Sequence, residues 1–128
     1  MNDISPKPSN PLNKYGAKKV EIDGYKFDSK FEGRIYEILR DNPMVKILDI
    51  HPRYLLQEKY QTKDERKIRA IEYVSDFLID VQWDIYVLDA KGRETTDFKI
   101  KRKIFEYRYQ DLKLIVAHSQ KELNSLLF

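Results

Sequence analysis

Cysteine is absent from the chain. Disulfides and thiolate metal sites are therefore excluded, and a cytosolic setting is the expectation. Histidine is scarce. His51 and His118 are far apart in the sequence, which argues against a histidine-rich zinc site. No apolar run comes near the roughly 18 residues a membrane span needs. The opening "MNDISPKPSNPLN" has neither an apolar core nor a cleavage signature, so no secretory signal is expected. Internal repeats are also missing.

What remains is a chain of 128 residues, 41% hydrophobic and 35% charged. That composition suits one soluble domain around a single core of modest size. Net charge is +3 and the pI is near 8.9, a weak pointer to a polyanionic partner. Lysine and arginine concentrate at Lys14 to Lys19, Arg66 to Arg69 and Lys99 to Lys103. Each cluster reads equally well as a solvated face or as a contact surface.

Residues 1–12, rich in Pro, Ser and Asn, predict a mobile tail. "KVEIDGYKF" alternates apolar and polar residues around Asp23-Gly24, which predicts a two-residue hairpin. "DSKFEGRIYEILRDNP" predicts a helix, opened by a Ser29/Glu32 capping box and ended at Asn42-Pro43. "MVKILDIHPRYLLQEKYQ" reads as extended, either one long strand or two pieces broken at Pro52. "TKDERKIR" reads as a polar connection. Two strands follow within residues 72–92. Thr95, Thr96 and Asp97 are capping candidates for a basic helix. "LKLIVAH" predicts a buried strand, and Ser119/Glu122 caps a closing helix. The order predicts a mixed α/β fold with a central mixed sheet flanked by helices.

Residues 72–92, "EYVSDFLIDVQWDIYVLDAKG", carry acids where a sheet would be served by Val or Ile. Burying such carboxylates is costly. Asp89 and Lys91 are two apart and point the same way. If Gln82 and Trp83 form the turn, Asp76 falls opposite Asp89, although Gln-Trp is a poor turn dipeptide. Two like charges facing across strands destabilise a sheet. A divalent cation offsets that repulsion, and Mg²⁺ is commonly held by one or two carboxylates plus a substrate phosphate. Lys91 beside it could position the attacking water or stabilise charge on the phosphate. This combination points to phosphodiester hydrolysis. The alternative is that both acids lie solvated near strand ends, with Lys91 as an ion-pair partner. At about 100° per residue, Glu32 falls inside the apolar arc of Phe31, Ile35, Tyr36, Ile38 and Leu39. It is either a third carboxylate for the site or only half of the capping box.

"NKYGAKKVEIDGYKFDSKFE", "YVSDFLI", "LDAKG" and "TTDFKIKRKIFEYRY" together resemble a family of small phage-encoded nucleases. That family belongs to the PD-(D/E)XK superfamily, comes from phages of Gram-positive bacteria, and formerly carried only an unknown-function label. The similarity runs from about Asn13 to His118. It implies a single nuclease domain over residues 13–128 with a restriction-endonuclease-like αβββαβ core behind the N-terminal hairpin. It implies catalytic residues Asp76, Asp89, Lys91 and Glu32, with Mg²⁺ on Asp76, Asp89, Glu32 and the Ala90 carbonyl, and Mn²⁺ as a substitute. Ser75 stands where the name motif has Pro.

The basic helix would border DNA through Lys99, Lys101, Arg102 and Lys103, as phosphate contacts without sequence readout. Small relatives include resolvases of branched DNA. The implied function is a Mg²⁺-dependent DNA endonuclease acting in the host cytoplasm. A homodimer cutting four-way junctions, one active site per subunit, is the implied form. The alternative is a non-catalytic DNA-binding or structural phage protein on the same fold.

Overall fold

Asp23 and Gly24 have φ of 55° and 84°, both in the left-handed region that a type I′ turn demands. They join β1 (Val20–Ile22) to β2 (Tyr25–Phe27), with Ile22 opposite Tyr25. The computed structural model describes residues 18–128. The tail expected over residues 1–12, and Lys14 of the first basic cluster, lie outside the described residues.

α1 (Lys30–Asp41) starts where expected, with Ser29 Oγ accepting from the Glu32 N–H at 3.1 Å. Ile35, Tyr36 and Leu39 are buried on its inner face. Gly33 lets α1 sit close against the hairpin. A Cβ there would stand 2.7 Å from Val20 Cγ2.

The chain continues through β3 (Val45–Ile50), β4 (Arg53–Gln57), β5 (Tyr60–Gln61), β6 (Lys67–Ile68) and β7 (Ile71–Val74). Then come β8 (Phe77–Val81), β9 (Asp84–Ala90), α2 (Thr96–Arg108), β10 (Lys113–Ala117) and α3 (Gln120–Leu127). The central sheet has the order β10-β9-β8-β3. β10 runs parallel to β9 and the other neighbours are antiparallel. The fold is therefore mixed α/β, with a mixed central sheet and three helices among the described residues. None of these helices is long and apolar enough to cross a membrane.

Two expectations need correction. The polar connection carries a short hairpin, β5 with β6, in which Tyr60 pairs with Ile68. The strand expected through Asp76 is two strands, because β7 and β8 part at Ser75-Asp76. The extended stretch before them also divides, at His51-Pro52. The two breaks have one cause. Strands β3–β4 and β7–β8 bend together while staying bonded across the bend. Ile50 faces Phe77 and Arg53 faces Val74. Between them His51 N donates to Asp76 O at 2.9 Å, and Ser75 N to Pro52 O at 3.2 Å. Pro52 has no N–H to offer a regular ladder, and His51 takes φ of 57°.

The sheet has a core on each face. Phe27, Ile35, Leu39, Phe77, Ile79, Leu88 and Leu123 form one, under α1 and α3. Tyr54, Tyr73, Val87, Phe98, Phe105 and Val116 form the other, under α2. Burying one such aliphatic or aromatic side chain contributes about 1.5–3 kcal/mol. Phe98 and Phe105, seven residues apart, thus mark the buried side of α2.

Candidate active site

The turn between β8 and β9 is the assumed one. Val81 pairs with Asp84, leaving Gln82 and Trp83 as the loop. Their φ values are 51° and 80°. Asp80 Oδ1 accepts from Trp83 N at 2.7 Å and helps hold this turn without Asn or Gly. The register then runs to Phe77 opposite Leu88, so Asp76 comes level with Asp89.

There the backbone ladder between β8 and β9 stops, and the two carboxylates take its place. Ala90 N donates to Asp76 Oδ2 at 2.7 Å. Asp76 N donates to Asp89 Oδ1 at 3.2 Å. The strands fork at this point, since β9 stays paired with β10 through Val116 opposite Asp89 while β7 turns away with β4. Asp89 is fully buried. Its Oδ2 accepts a short hydrogen bond from the Tyr73 hydroxyl. Lys91 Nζ lies 3.9 Å from the same oxygen and 4.7 Å from the centre of the Phe98 ring. Asp76, Asp89 and Lys91 therefore converge; Ala90 meets Asp76 through its N–H, not through the carbonyl expected to ligate.

Glu32 is 4% exposed and faces inward, as its place in the apolar arc predicts. The capping box forms in part. Ser29 caps its N–H, while its own Oε1 accepts from Asp28 N at 2.9 Å. Its Oε2 lies 2.8 Å from His51 Nε2. Glu32, His51 and Asp76 each bring one ligand atom within 4.8 Å of the other two.

His51 is the residue that sequence reasoning left out. Its alignment depends on a bulge in β3. Ile47 pairs with Ile79 but Asp49 pairs with Leu78, so one extra residue, Leu48, shifts the strand. That shift brings position 51 level with 76. Nothing in the local sequence marks the bulge; Pro52 marks only the break that follows.

Burial pushes the Asp76 carboxyl up to about 7, and the adjoining Glu32 carboxyl adds to the rise. Burial, then the Asp76 charge, push Asp89 up to about 7 as well, against the pull of Lys91. Burial also raises Glu32. Three acids crowded together and lifted by desolvation are a site short of positive charge.

α2 begins beside the site, since Phe98 lies under the Lys91 ammonium. Thr95 Oγ1 caps it by accepting from Phe98 N at 3.1 Å. Lys99 and Lys103 are exposed, and Lys101 and Arg102 are half-buried. Arg102 Nε lies 3.5 Å from Glu106 Oε2. On the other side, a cleft of about 360 Å³ opens at His51, walled by Tyr25, Tyr36 and Leu48.

The fold and site together define a mixed α/β domain with a fork of buried carboxylates and a lysine next to it. The chain belongs to the family described as "Protein of unknown function (DUF1064)", whose sequence profile matches residues 12–124. Neither the curated proteins nor the solved structures provide a significant match.

Proposed function

We propose that this protein is a metal-dependent DNA endonuclease of the PD-(D/E)XK type. The observation that carries the proposal is the fork. Asp76, at the β7–β8 break, accepts from the N–H of Ala90, and Asp89 of β9 accepts from the N–H of Asp76, with Lys91 3.9 Å from Asp89. Acids lifted by burial and by one another, with a lysine beside them, are the pattern of a functional-site candidate. The chain order around it, α1, β3, β8, β9, α2, β10, supports a restriction-endonuclease-like αβββαβ core once the β4–β7 arm is set aside.

The donor set fits a hard divalent ion. Asp76 and Glu32 offer carboxylate oxygens at the mouth of the fork, and Asp89 adds a charge behind them. Mg²⁺ is the cation read from the sequence, with Mn²⁺ as its substitute. When bound, such a cation acidifies its water and neutralises charge on a phosphate oxygen. The chain's own groups do the rest. Asp89 holds the Lys91 ammonium in place, and Phe98 supports it from below. Lys91, 30% exposed, can reach a phosphate oxygen or the attacking water. Lys99, Lys101, Arg102 and Lys103 on α2 are in position to neutralise backbone phosphates of the same duplex.

Cleavage of both strands of a branched duplex needs two such sites. A homodimer resolving four-way junctions in the cytoplasm of a phage-infected host is the form we favour. The test is a substrate panel. Linear, nicked, flapped and four-way DNA are incubated with the protein in Mg²⁺, Mn²⁺ or EDTA. Metal-dependent nicking or resolution supports the proposal. DNA binding with no cutting in either metal would leave a binding module on the same fold.

A further inference from the structure

Three side chains from three separate elements converge at the mouth of the fork. Glu32 comes from α1, His51 from the β3–β4 bend and Asp76 from the β7–β8 bend. One ligand atom of each lies within 4.8 Å of the other two. Donors bound to one cation at about 2.0–2.2 Å stand roughly 3–4 Å apart, so small side-chain movements close the triangle. Glu32 is already aimed. Its Oε1 is held by the Asp28 N–H, which leaves Oε2 directed at His51 Nε2, 2.8 Å away. The imidazole is 36% exposed and borders the cleft beside Tyr25 and Tyr36, so this ligand meets solvent.

Asp89 differs. One of its oxygens accepts from Asp76 N and the other from the Tyr73 hydroxyl, and the residue is fully buried. Each of its oxygens is thus already tied, one to Asp76 and the other to Tyr73, with the Lys91 ammonium 3.9 Å away.

We propose that Glu32, His51 and Asp76 bind the cation directly, that Asp89 is a positioning residue behind them, and that the His51 imidazole makes the site prefer Mn²⁺ to Mg²⁺. Mg²⁺ favours oxygen donors, whereas imidazole suits first-row transition metals. The inference rests on the cation of the proposed function but not on cleavage. The competing arrangement is a plain ion pair between His51 and Glu32. An ion pair needs only two partners, and Asp76 completing the triangle favours the ion site.

The experiment measures cation binding by the full-length protein. Mn²⁺ is titrated by the loss of its free-ion EPR signal, and Mg²⁺ by competition. Wild type, His51→Asn and Asp76→Ala are compared. Asn tolerates the left-handed backbone of position 51 and offers an oxygen in place of nitrogen. In His51→Asn, Mn²⁺ affinity should fall by about tenfold or more, in the range seen when groups that tune a metal site are lost. Mg²⁺ affinity should change much less. Pulsed EPR of the Mn²⁺-loaded wild type should show nitrogen coupling, a readout that does not depend on any variant folding. Absence of nitrogen coupling, or an unchanged Mn²⁺/Mg²⁺ ratio in a folded His51→Asn, overturns the role of His51. If Asp76→Ala still loses both metals in that case, the cation site survives. If wild type binds neither metal, the proposed function fails with it.

Discussion

The backbone N–H of Ala90 donates to Asp76 Oδ2 at 2.7 Å, across the point where β8 and β9 part. A carboxylate thus occupies the place of a ladder carbonyl. This one substitution fixes an acid at the fork and ties its position to the strand that carries Asp89 and Lys91.

Removing the charge behind the fork separates stability from activity. Asp89→Asn keeps the shape: its amide oxygen can accept from Asp76 N, and its amide nitrogen can donate to the Tyr73 oxygen in place of the bond accepted there now. It removes the repulsion that burial makes costly. Without metal at pH 7.5 or above, the variant should melt at a higher temperature than wild type, while its DNA cleavage falls by about 100-fold or more, as expected when a group shaping charge stabilisation is lost. Calorimetry and a plasmid assay check the two effects. Cleavage at the wild-type rate would remove Asp89 from the site.

The pH dependence has a definite sign. Asp76 and Asp89 are lifted to about 7 in the folded protein, against about 3.9 in an unfolded chain. Between those values the folded state holds more protons than the unfolded state. Stability of the metal-free protein should therefore fall as pH rises from about 4 to about 7, then level off in this respect. Metal binding needs the deprotonated acids, so Mn²⁺ or Mg²⁺ affinity should rise over the same interval. Urea unfolding midpoints across pH, with and without cation, test both trends. A midpoint that climbs from pH 5 to 7 in Asp76→Asn more than in wild type would agree with this assignment; identical profiles would not.

Tyr73 lies under Asp89 and donates to it. Tyr73→Phe leaves a buried oxygen short of one donor, which should cost about 1–3 kcal/mol. It should also raise the Asp89 carboxyl further and shift the cation-binding midpoint to higher pH. Denaturant titration and a pH series of Mn²⁺ binding give the two readings. No change in either would mean that the hydroxyl does not support Asp89 in solution.

Lys103 is exposed on α2. Lys103→Ala should weaken binding to unrelated duplexes by a similar factor and reduce the slope of log affinity against log salt by roughly 1. Fluorescence anisotropy at several salt concentrations measures this. An effect limited to one sequence would contradict a phosphate contact.

Much of this geometry is legible in the residues. Asp23-Gly24 dictates its turn, Ser29, Thr95 and Ser119 each cap the helix expected of them, and a two-residue turn at Gln82-Trp83, assumed rather than marked by its residues, places Asp76 across from Asp89. Glu32 faces inward because its neighbours at helical spacing are apolar. The bends are less legible. The break at Ser75-Asp76 arises because β7 follows β4 out of the central sheet, a tertiary choice that leaves no mark in "YVSDFLI". The Leu48 bulge has the same character, so the alignment of His51 with Asp76 could not be read from spacing. The β5–β6 hairpin was hidden by its polar composition, since an exposed two-residue pairing needs no apolar alternation.

The most direct test of the central claim is single-turnover cleavage of a four-way DNA junction by wild type and Asp76→Ala, each in Mn²⁺, Mg²⁺ and EDTA. The account predicts cleavage by wild type in at least one of the two metals, none in EDTA, and none by Asp76→Ala although it still binds the DNA. Cleavage that persists in EDTA or in folded Asp76→Ala would contradict it.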